Sequence, residues 1–152
     1  MKKLWLMLVI LVFTVSLLAC TKKEDVVEGF PENDSHDWGI KLSVKDISSK
    51  GLTIVFEQSG GSTSSEFLYG EDYKLHVKRE NGWTEVPYIL EEFGWNAIGY
   101  IIERDSTVEQ EIDWTWIYGE LEKGTYMLEK EVIASGDEEY EKSCYYVGFK
   151  ID

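Results

Sequence analysis

Several side chains in this sequence could carry out catalysis, but they do not stand in catalytic arrangements. Cys144 is a potential nucleophile, and such a cysteine needs an imidazole beside it. The histidines are His36 and His76, the first in a polar segment and the second in a predicted strand. We therefore expect Cys144 to be an inert strand residue.

Paired carboxylates could serve a glycoside hydrolase. The chain carries 29 acidic residues, so clusters arise by chance and solvated strand faces explain them. They lie at Glu91-Glu92, at Glu109, Glu111 and Asp113, and at Asp137-Glu138-Glu139. We expect no catalytic residues, and we expect that the protein is not an enzyme.

Metal ligands show no recognisable spacing either. There is no CxxC pair, so a zinc site is not expected. Hard oxygen ligands that suit Ca²⁺ occur in the acidic turn at residues 137–141, but without DxDxDG spacing. The sequence predicts no metal and no cofactor, and it leaves open a weak cation site formed by Asp137, Glu138, Glu139 and Glu141.

The cysteine with the most informative setting is Cys20. It ends an uncharged run from Leu4 to Ala19, which follows Lys2 and Lys3. This layout is typical of a secretory signal, and the run is short for a membrane span, which needs roughly 20 apolar residues. The stretch Leu17-Leu18-Ala19-Cys20 resembles the lipobox of bacterial lipoproteins. An uncleaved helical anchor is the alternative interpretation.

The lipobox resemblance implies that residues 1–19 are removed and that Cys20 receives fatty acyl chains such as palmitate. Two or three chains on one cysteine hold a protein firmly at a membrane, whereas one chain holds it marginally. We expect an extracytoplasmic protein that is lipid-anchored to the cell membrane. Residues 20–37 would form the acylated cysteine and a flexible tether, and residues 38–152 the folded domain.

The charge of the chain limits its partners. The sequence has 15 basic and 29 acidic residues. Loss of Lys2 and Lys3 with the signal leaves a formal net charge of −16. Such a surface repels nucleic acid, so no nucleic-acid partner is expected. Aromatic residues make up 14% of the chain, which argues against a disordered acidic protein.

Alternating apolar residues predict a chain of short strands. Ile40, Leu42 and Val44 share one face, and Tyr73, Leu75 and Val77 share another before a turn at Asn81-Gly82. The stretch at 96–102 is apolar on both phases, so we expect a central strand there. In the strand near residue 130, Lys130 falls on the apolar phase, which suggests a bulge between Glu129 and Glu131. Seven or eight such strands predict an all-β, antiparallel sandwich, with a small closed barrel as the alternative.

Aromatic side chains fall into a predicted core set and a predicted surface set. Trp114 and Trp116 continue the apolar phase of a strand, so both are expected in the core together with Tyr126. Phe93 and Trp95 lie in a loop beside Glu91-Glu92. Loop aromatics can anchor a partner or close the end of a sandwich. Phe93 and Trp95 are therefore the candidate partner-binding residues.

The stretch Leu121-Glu122-Lys123-Gly124-Thr125-Tyr126 looks like the tyrosine corner of Greek-key sandwiches, in which the hydroxyl bonds back to nearby backbone. With "LTIVFEQSGG", "NGWTEVPY" and the closing "YYVGFKI", residues 38–152 resemble a bacterial immunoglobulin-like domain family of secreted and membrane-attached proteins. The resemblance implies a β-sandwich without catalytic residues and gives Tyr126 a structural role.

Two classes of function follow from these patterns. The first, which we favour, is a non-catalytic binding or spacer domain that meets an envelope protein or a cell-wall partner. The second is a lipid-anchored enzyme acting on envelope glycans, and a sensor of a soluble ligand is a narrower alternative. The sequence does not identify the partner or the oligomeric state.

Overall fold

The computed structural model describes residue 31 and residues 36–62, 66–136 and 140–152. Cys20, nearly all of the proposed tether and the acidic residues 137–139 lie outside these ranges. Within the described ranges, no helix is long and apolar enough to cross a membrane.

Nine strands form two antiparallel sheets across the described residues. Their bounds are β1 Ile40–Lys45, β2 Gly51–Gln58, β3 Glu66–Tyr69, β4 Lys74–Arg79, β5 Gly82–Glu85, β6 Tyr100–Ile102, β7 Thr107–Asp113, β8 Gly124–Ser135 and β9 Tyr140–Ile151. The predicted all-β antiparallel sandwich is confirmed, with nine strands instead of seven or eight. The alternative of a closed barrel is wrong, because the strands form two separate sheets.

The smaller sheet, here called sheet A, has the order β1-β2-β7. The larger, sheet B, is built around β8, which pairs with β9 along its whole length. The other side of β8 pairs first with β4 and then with β3, and these two continue to β5 and β6. Residues 70–73 connect β3 to β4 and leave the ladder opposite Lys130.

The core lies between the sheets, because each strand turns its apolar phase inward. Phe56 from sheet A stacks on Tyr69 from sheet B, with 4.4 Å between ring centroids. Trp114 is fully buried and stacks on Phe149 at 5.6 Å. Its indole N–H donates to the Ser49 carbonyl at 2.8 Å. The core is therefore rich in aromatic contacts between strands that are distant in sequence.

The buried side chain of Gln58 forms hydrogen bonds that hold the start of the domain against the rest of the fold. The Gln58 amide nitrogen donates to the Trp38 and Gly60 carbonyls at 3.0 and 2.9 Å. Its amide oxygen accepts from the Asp105 N–H at 2.8 Å. Asp105 has a φ of 52°, so this bond supports a turn that few residue types adopt. One side chain thus joins the entry of β1, the end of β2 and the β6–β7 turn.

Three local predictions need correction. The bulge near Glu129 to Glu131 is wrong, since the β8–β9 register runs without a break from Gly124 to Ser135. Lys130 does face the core, and the irregularity lies in the opposite segment 70–73. The central strand at 96–102 is wrong as well, because only Tyr100–Ile102 is a strand and it lies at an edge of sheet B. The pair Asn81-Gly82 was expected to supply two positive φ angles to the β4–β5 turn, but Gly82 alone has a positive φ, 123°.

Candidate functional site: an acidic and aromatic groove beside β7

The turn after β7 separates the two tryptophans that were expected to share the core. Asp113 accepts hydrogen bonds from the backbone N–H and the hydroxyl of Thr115 at 2.8 and 2.6 Å. The Tyr118 N–H then donates to the Trp114 carbonyl at 2.8 Å. Because the strand ends at Asp113, its alternation ends there too. Trp114 points inward, while Trp116 is 44% exposed, so the prediction that Trp116 is a core residue is wrong.

The predicted loop residues Phe93 and Trp95 lie together, half-buried against the core. Their rings are 5.9 Å apart, and Trp95 meets Trp116 edge-on at 5.3 Å. Trp95 also contacts Tyr73 at 5.1 Å. The Ile89 N–H donates to the Ile117 carbonyl at 2.9 Å and ties the loop to the turn after β7. The exposed ring of this cluster is Trp116, which the sequence pattern assigned to the core.

A groove of about 420 Å³ lies between β7 and the β3–β4 side of sheet B. This volume is within the range of small-ligand sites. Five aromatic residues, four carboxylates and the backbone of β7 line it. The lining residues are Tyr69, Glu71, Tyr73, Trp95, Tyr100, Glu109, Gln110, Glu111, Ile112, Asp113 and Trp116.

Two buried oxygen atoms at this groove have no hydrogen-bond partner within the described part of the chain. They are the hydroxyl of Tyr73 and the side-chain carbonyl of Gln110. Tyr73 is 5% exposed. Burial, and then the negative charge of Asp113, raise the pKa of Tyr73 well above its ordinary value, so its hydroxyl stays protonated. Unpartnered buried polar groups are rare in folded proteins and point to an absent partner.

Lys130 holds the segment that forms one wall of the groove. Its fully buried ammonium group donates to the carbonyls of Gly70 and Asp72 at 2.7 and 2.8 Å. It also lies over the Tyr69 ring, 5.5 Å from the centroid. Burial lowers the pKa of Lys130 to about 8, although the charges of Asp72 and Glu71 oppose this shift. Lys130 therefore positions Glu71 and Tyr73 from behind the groove.

Cys144 and His76 both contact Glu129, on the outer face of sheet B. The Cys144 sulfur is 3.9 Å from one carboxylate oxygen, and the His76 Nε2 is 2.8 Å from the other. A carboxylate beside the thiol is not the base that activates a cysteine nucleophile. Among the described residues, no group of three His, Cys, Asp or Glu side chains could hold a metal ion. The acidic turn considered for Ca²⁺ lies mostly outside those residues.

The Tyr126 hydroxyl donates to the Glu122 carbonyl at 2.9 Å. Its ring stacks on Phe149 at 5.6 Å and so extends the column of rings that includes Trp114. We expect Tyr126→Phe to lower the free energy of unfolding by about 1 kcal/mol, because the partly buried carbonyl loses its donor. Urea unfolding would measure this, with Tyr140→Phe, a change at a 73% exposed ring, as the matched control. Equal midpoints for the two variants would contradict the prediction.

The two stacked antiparallel sheets define an immunoglobulin-like sandwich. A family model described as "Bacterial Ig-like domain" matches residues 36–146, and the chain belongs to that family. The predicted resemblance to this family is thus confirmed. Searches of curated proteins and of solved structures returned no match.

Proposed function

We propose that this chain is a lipid-anchored extracytoplasmic protein whose Ig-like domain binds a partner protein of the cell envelope. The binding surface is formed by the loop 86–99, strand β6 and the turn that carries Trp116. Membership of the bacterial Ig-like family supports a non-catalytic interaction domain. Cys20 supplies the membrane anchor, and residues 21–37 the tether.

Exposed apolar side chains carry this proposal. Eight large apolar residues are exposed in the described part of the chain, and six of them lie between residues 89 and 116. They are Ile89, Leu90, Ile98, Tyr100, Ile101 and Trp116. Monomeric proteins rarely expose large contiguous apolar surfaces, so this concentration within one stretch of the chain favours an interaction site there. Phe93 and Trp95, the residues predicted to bind a partner, are half-buried and support this surface from beneath.

Lipid anchoring predicts a clear effect of Cys20→Ala. Without the sulfur that receives the acyl chains, the protein should leave the membrane fraction while its folded domain is unchanged. Fractionation of cells into membrane, wall and medium, followed by immunoblotting, measures this. Cys144→Ala removes the other cysteine and should leave the distribution as in the wild type. Full retention of the Cys20→Ala protein in membranes would disprove the lipid anchor.

Partner binding can be tested by sedimentation. Soluble residues 33–152 would be mixed with purified sacculi or with membranes from the same cells, and the pelleted fraction measured. We expect pelleting with membranes, and loss of most of it in an Ile98→Ser/Trp116→Ala variant. Tyr140→Ala, which removes an exposed aromatic residue outside the surface, is the control. Pelleting with sacculi alone would instead indicate a wall-glycan module, and pelleting with neither would indicate a spacer.

A further inference from the structure

The groove runs along an edge of sheet A that pairs with no other described strand. The Trp114 N–H bonds to the Lys50 carbonyl, and the Gln58 N–H to the Ser106 carbonyl, both at 3.0 Å. These bonds direct the backbone groups of the even-numbered β7 residues toward β2. Backbone direction alternates along a strand, so those of Glu109, Glu111 and Asp113 face away from β2, along the open edge. An extended chain could pair with them.

The side chains around this edge are negatively charged. Glu71, Glu109, Glu111 and Asp113 line the groove, and no lysine, arginine or histidine is among its described lining residues. Glu109 is paired with Lys45 at 2.7 Å on the outer face of sheet A. Lysines near the other carboxylates have bonds of their own: Lys50 contacts Glu120 at 3.2 Å, and Lys130 bonds to backbone carbonyls. The groove therefore favours a positively charged occupant.

The unpartnered oxygens in the groove match the same kind of occupant. The Gln110 carbonyl oxygen can only accept a hydrogen bond, and the Tyr73 hydroxyl can accept one. The carboxylates are acceptors as well. An ammonium or guanidinium group offers donors alone, so it suits these acceptors and the carboxylates around them. A phosphate or carboxylate ligand would meet repulsion at the carboxylates and at the Gln110 carbonyl oxygen, although the Tyr73 hydroxyl could donate to it.

The aromatic rings that line the groove also favour a positively charged occupant. Tyr69 and Tyr100 stack at 5.4 Å, and the Tyr100 hydroxyl donates to Glu71 at 3.0 Å. Trp95 and Trp116 line the same groove. Aromatic rings attract cations through their faces and pack against the methylene stem that carries the charge. Exposed Ile98 and Ile101 lie in the chain segment that flanks Tyr100, as expected of a protein interface around a buried contact.

We propose that an extended, basic segment of a partner protein pairs with the open edge of β7 and places a lysine or arginine side chain in the groove. This proposal rests on the partner-binding function proposed above and specifies the chemistry of the partner. The cation is held by Glu71, Glu111 and Asp113, by the free oxygens of Tyr73 and Gln110, and by the aromatic walls.

The test begins with a random twelve-residue peptide library displayed on phage and selected against the full-length protein in nonionic detergent. We expect enrichment of Lys and Arg over Asp and Glu. An enriched peptide is then synthesised with free and with acetylated lysines, and spermine serves as the small-amine probe. Acetylation should weaken binding by roughly tenfold or more, because the cation is lost. Amide hydrogen exchange should show protection of Glu109, Glu111 and Asp113 in the complex only.

Variants locate the site. Glu71→Gln/Glu111→Gln should raise the Kd of the enriched peptide by roughly tenfold, whereas Glu57→Gln/Glu103→Gln removes two exposed carboxylates elsewhere and should leave it unchanged. Tyr73→Phe removes the unpartnered hydroxyl, so it should weaken binding by roughly threefold without loss of stability. Circular dichroism and the unfolding midpoint establish that each variant is folded.

Three results would overturn the proposal: selected peptides without an excess of basic residues, a complex in which the three β7 amides remain unprotected, or spermine binding as tightly as the peptide. If neutral peptides are selected and Trp116→Ala abolishes their binding, the partner-binding function holds and the basic segment is wrong. If no peptide is selected and the soluble domain pellets with neither sacculi nor membranes, both proposals fail.

Discussion

Replacing Trp114 by alanine is expected to lower the free energy of unfolding by about 4 kcal/mol. The side chain is fully buried, and truncation of a buried tryptophan typically costs about 3–5 kcal/mol through lost transfer energy and the cavity left behind. The Ser49 carbonyl also loses the indole donor that lies 2.8 Å away. A domain of this size is stable by roughly 5–15 kcal/mol. The variant should therefore remain folded in dilute buffer, with roughly 1–11 kcal/mol of stability left.

The neighbouring tryptophan provides a sharp comparison. Trp116→Ala removes the same side chain two residues later, but this ring is 44% exposed and contacts only the edges of Phe93 and Trp95 among the rings described. We expect it to cost about 2 kcal/mol, roughly half the loss at Trp114, because nearly half of the side chain is already in solvent. Urea unfolding monitored by far-UV circular dichroism measures both changes. Similar losses in the two variants would show that the strand continues past Asp113 after all.

That comparison also shows where the alternation of apolar residues stops predicting which side chains are buried. Alternation along β1 and β4 correctly predicted which side chains face the core, because each of these strands has one face toward the core and one toward solvent. The same alternation placed Trp116 inward because nothing in the spacing itself marks the end of β7. The available signal was Asp113 followed by Thr115, a pair that forms a side-chain-capped turn.

Edge strands were harder to predict than central ones. The apolar stretch at 96–102 indicated a buried strand, yet Ile98 and Ile101 are exposed and only Tyr100–Ile102 pairs with β3. Apolar residues at an interaction surface and apolar residues in a core have the same composition, so periodicity cannot separate them. The residues that were expected to form a central strand are the ones that now form part of the proposed binding surface. The interpretation changed once their exposure was known.

The groove could not be predicted because its walls are distant in sequence. Gln110 belongs to sheet A and Tyr73 to the segment that joins two strands of sheet B, and their unpartnered oxygens become visible only when both sheets are in place. Phe93 and Trp95 were predicted to bind a partner because loop aromatics favour interaction sites; Trp95 lines the groove and Phe93 packs against it, and their role stays a prediction. The carboxylates of β7 were attributed to a solvated face, and their place at an open strand edge became visible only in the fold.

The role of Lys130 also depends on residues distant in sequence, so it could not be predicted. Lys130→Met is the second substitution for which we expect a large change in stability. At pH 7 we expect the substitution to lower the free energy of unfolding by about 1–2 kcal/mol, because the Gly70 and Asp72 carbonyls lose their donors. The gain from no longer burying a charge keeps this loss small. The segment 70–73 should loosen, and the groove formed by Glu71 and Tyr73 should bind its ligand more weakly.

The loss caused by Lys130→Met should grow with pH. In the folded protein Lys130 gives up its proton near pH 8, whereas in the unfolded chain it keeps the proton until about pH 10.5. Between these values the unfolded state binds more protons, so the stability of the wild type rises with pH. The neutral amine still has two N–H donors for the two carbonyls. The difference in the free energy of unfolding between wild type and Lys130→Met should therefore increase by up to about 3 kcal/mol from pH 7 to pH 10.5.

Comparison at each pH removes the titration of the buried tyrosines, because wild type and variant share it. Lys142→Met is the matched control: this lysine is exposed, and its bond to Glu131 raises its pKa above the ordinary value. The difference in the free energy of unfolding between Lys142→Met and the wild type should stay constant up to pH 10. Urea unfolding at pH 7, 8, 9 and 10 supplies the three curves. A wild-type advantage over Lys130→Met that stays constant or falls with pH would mean that the buried ammonium group is not destabilised by its surroundings. The segment 70–73 would then need another explanation for its departure from the ladder.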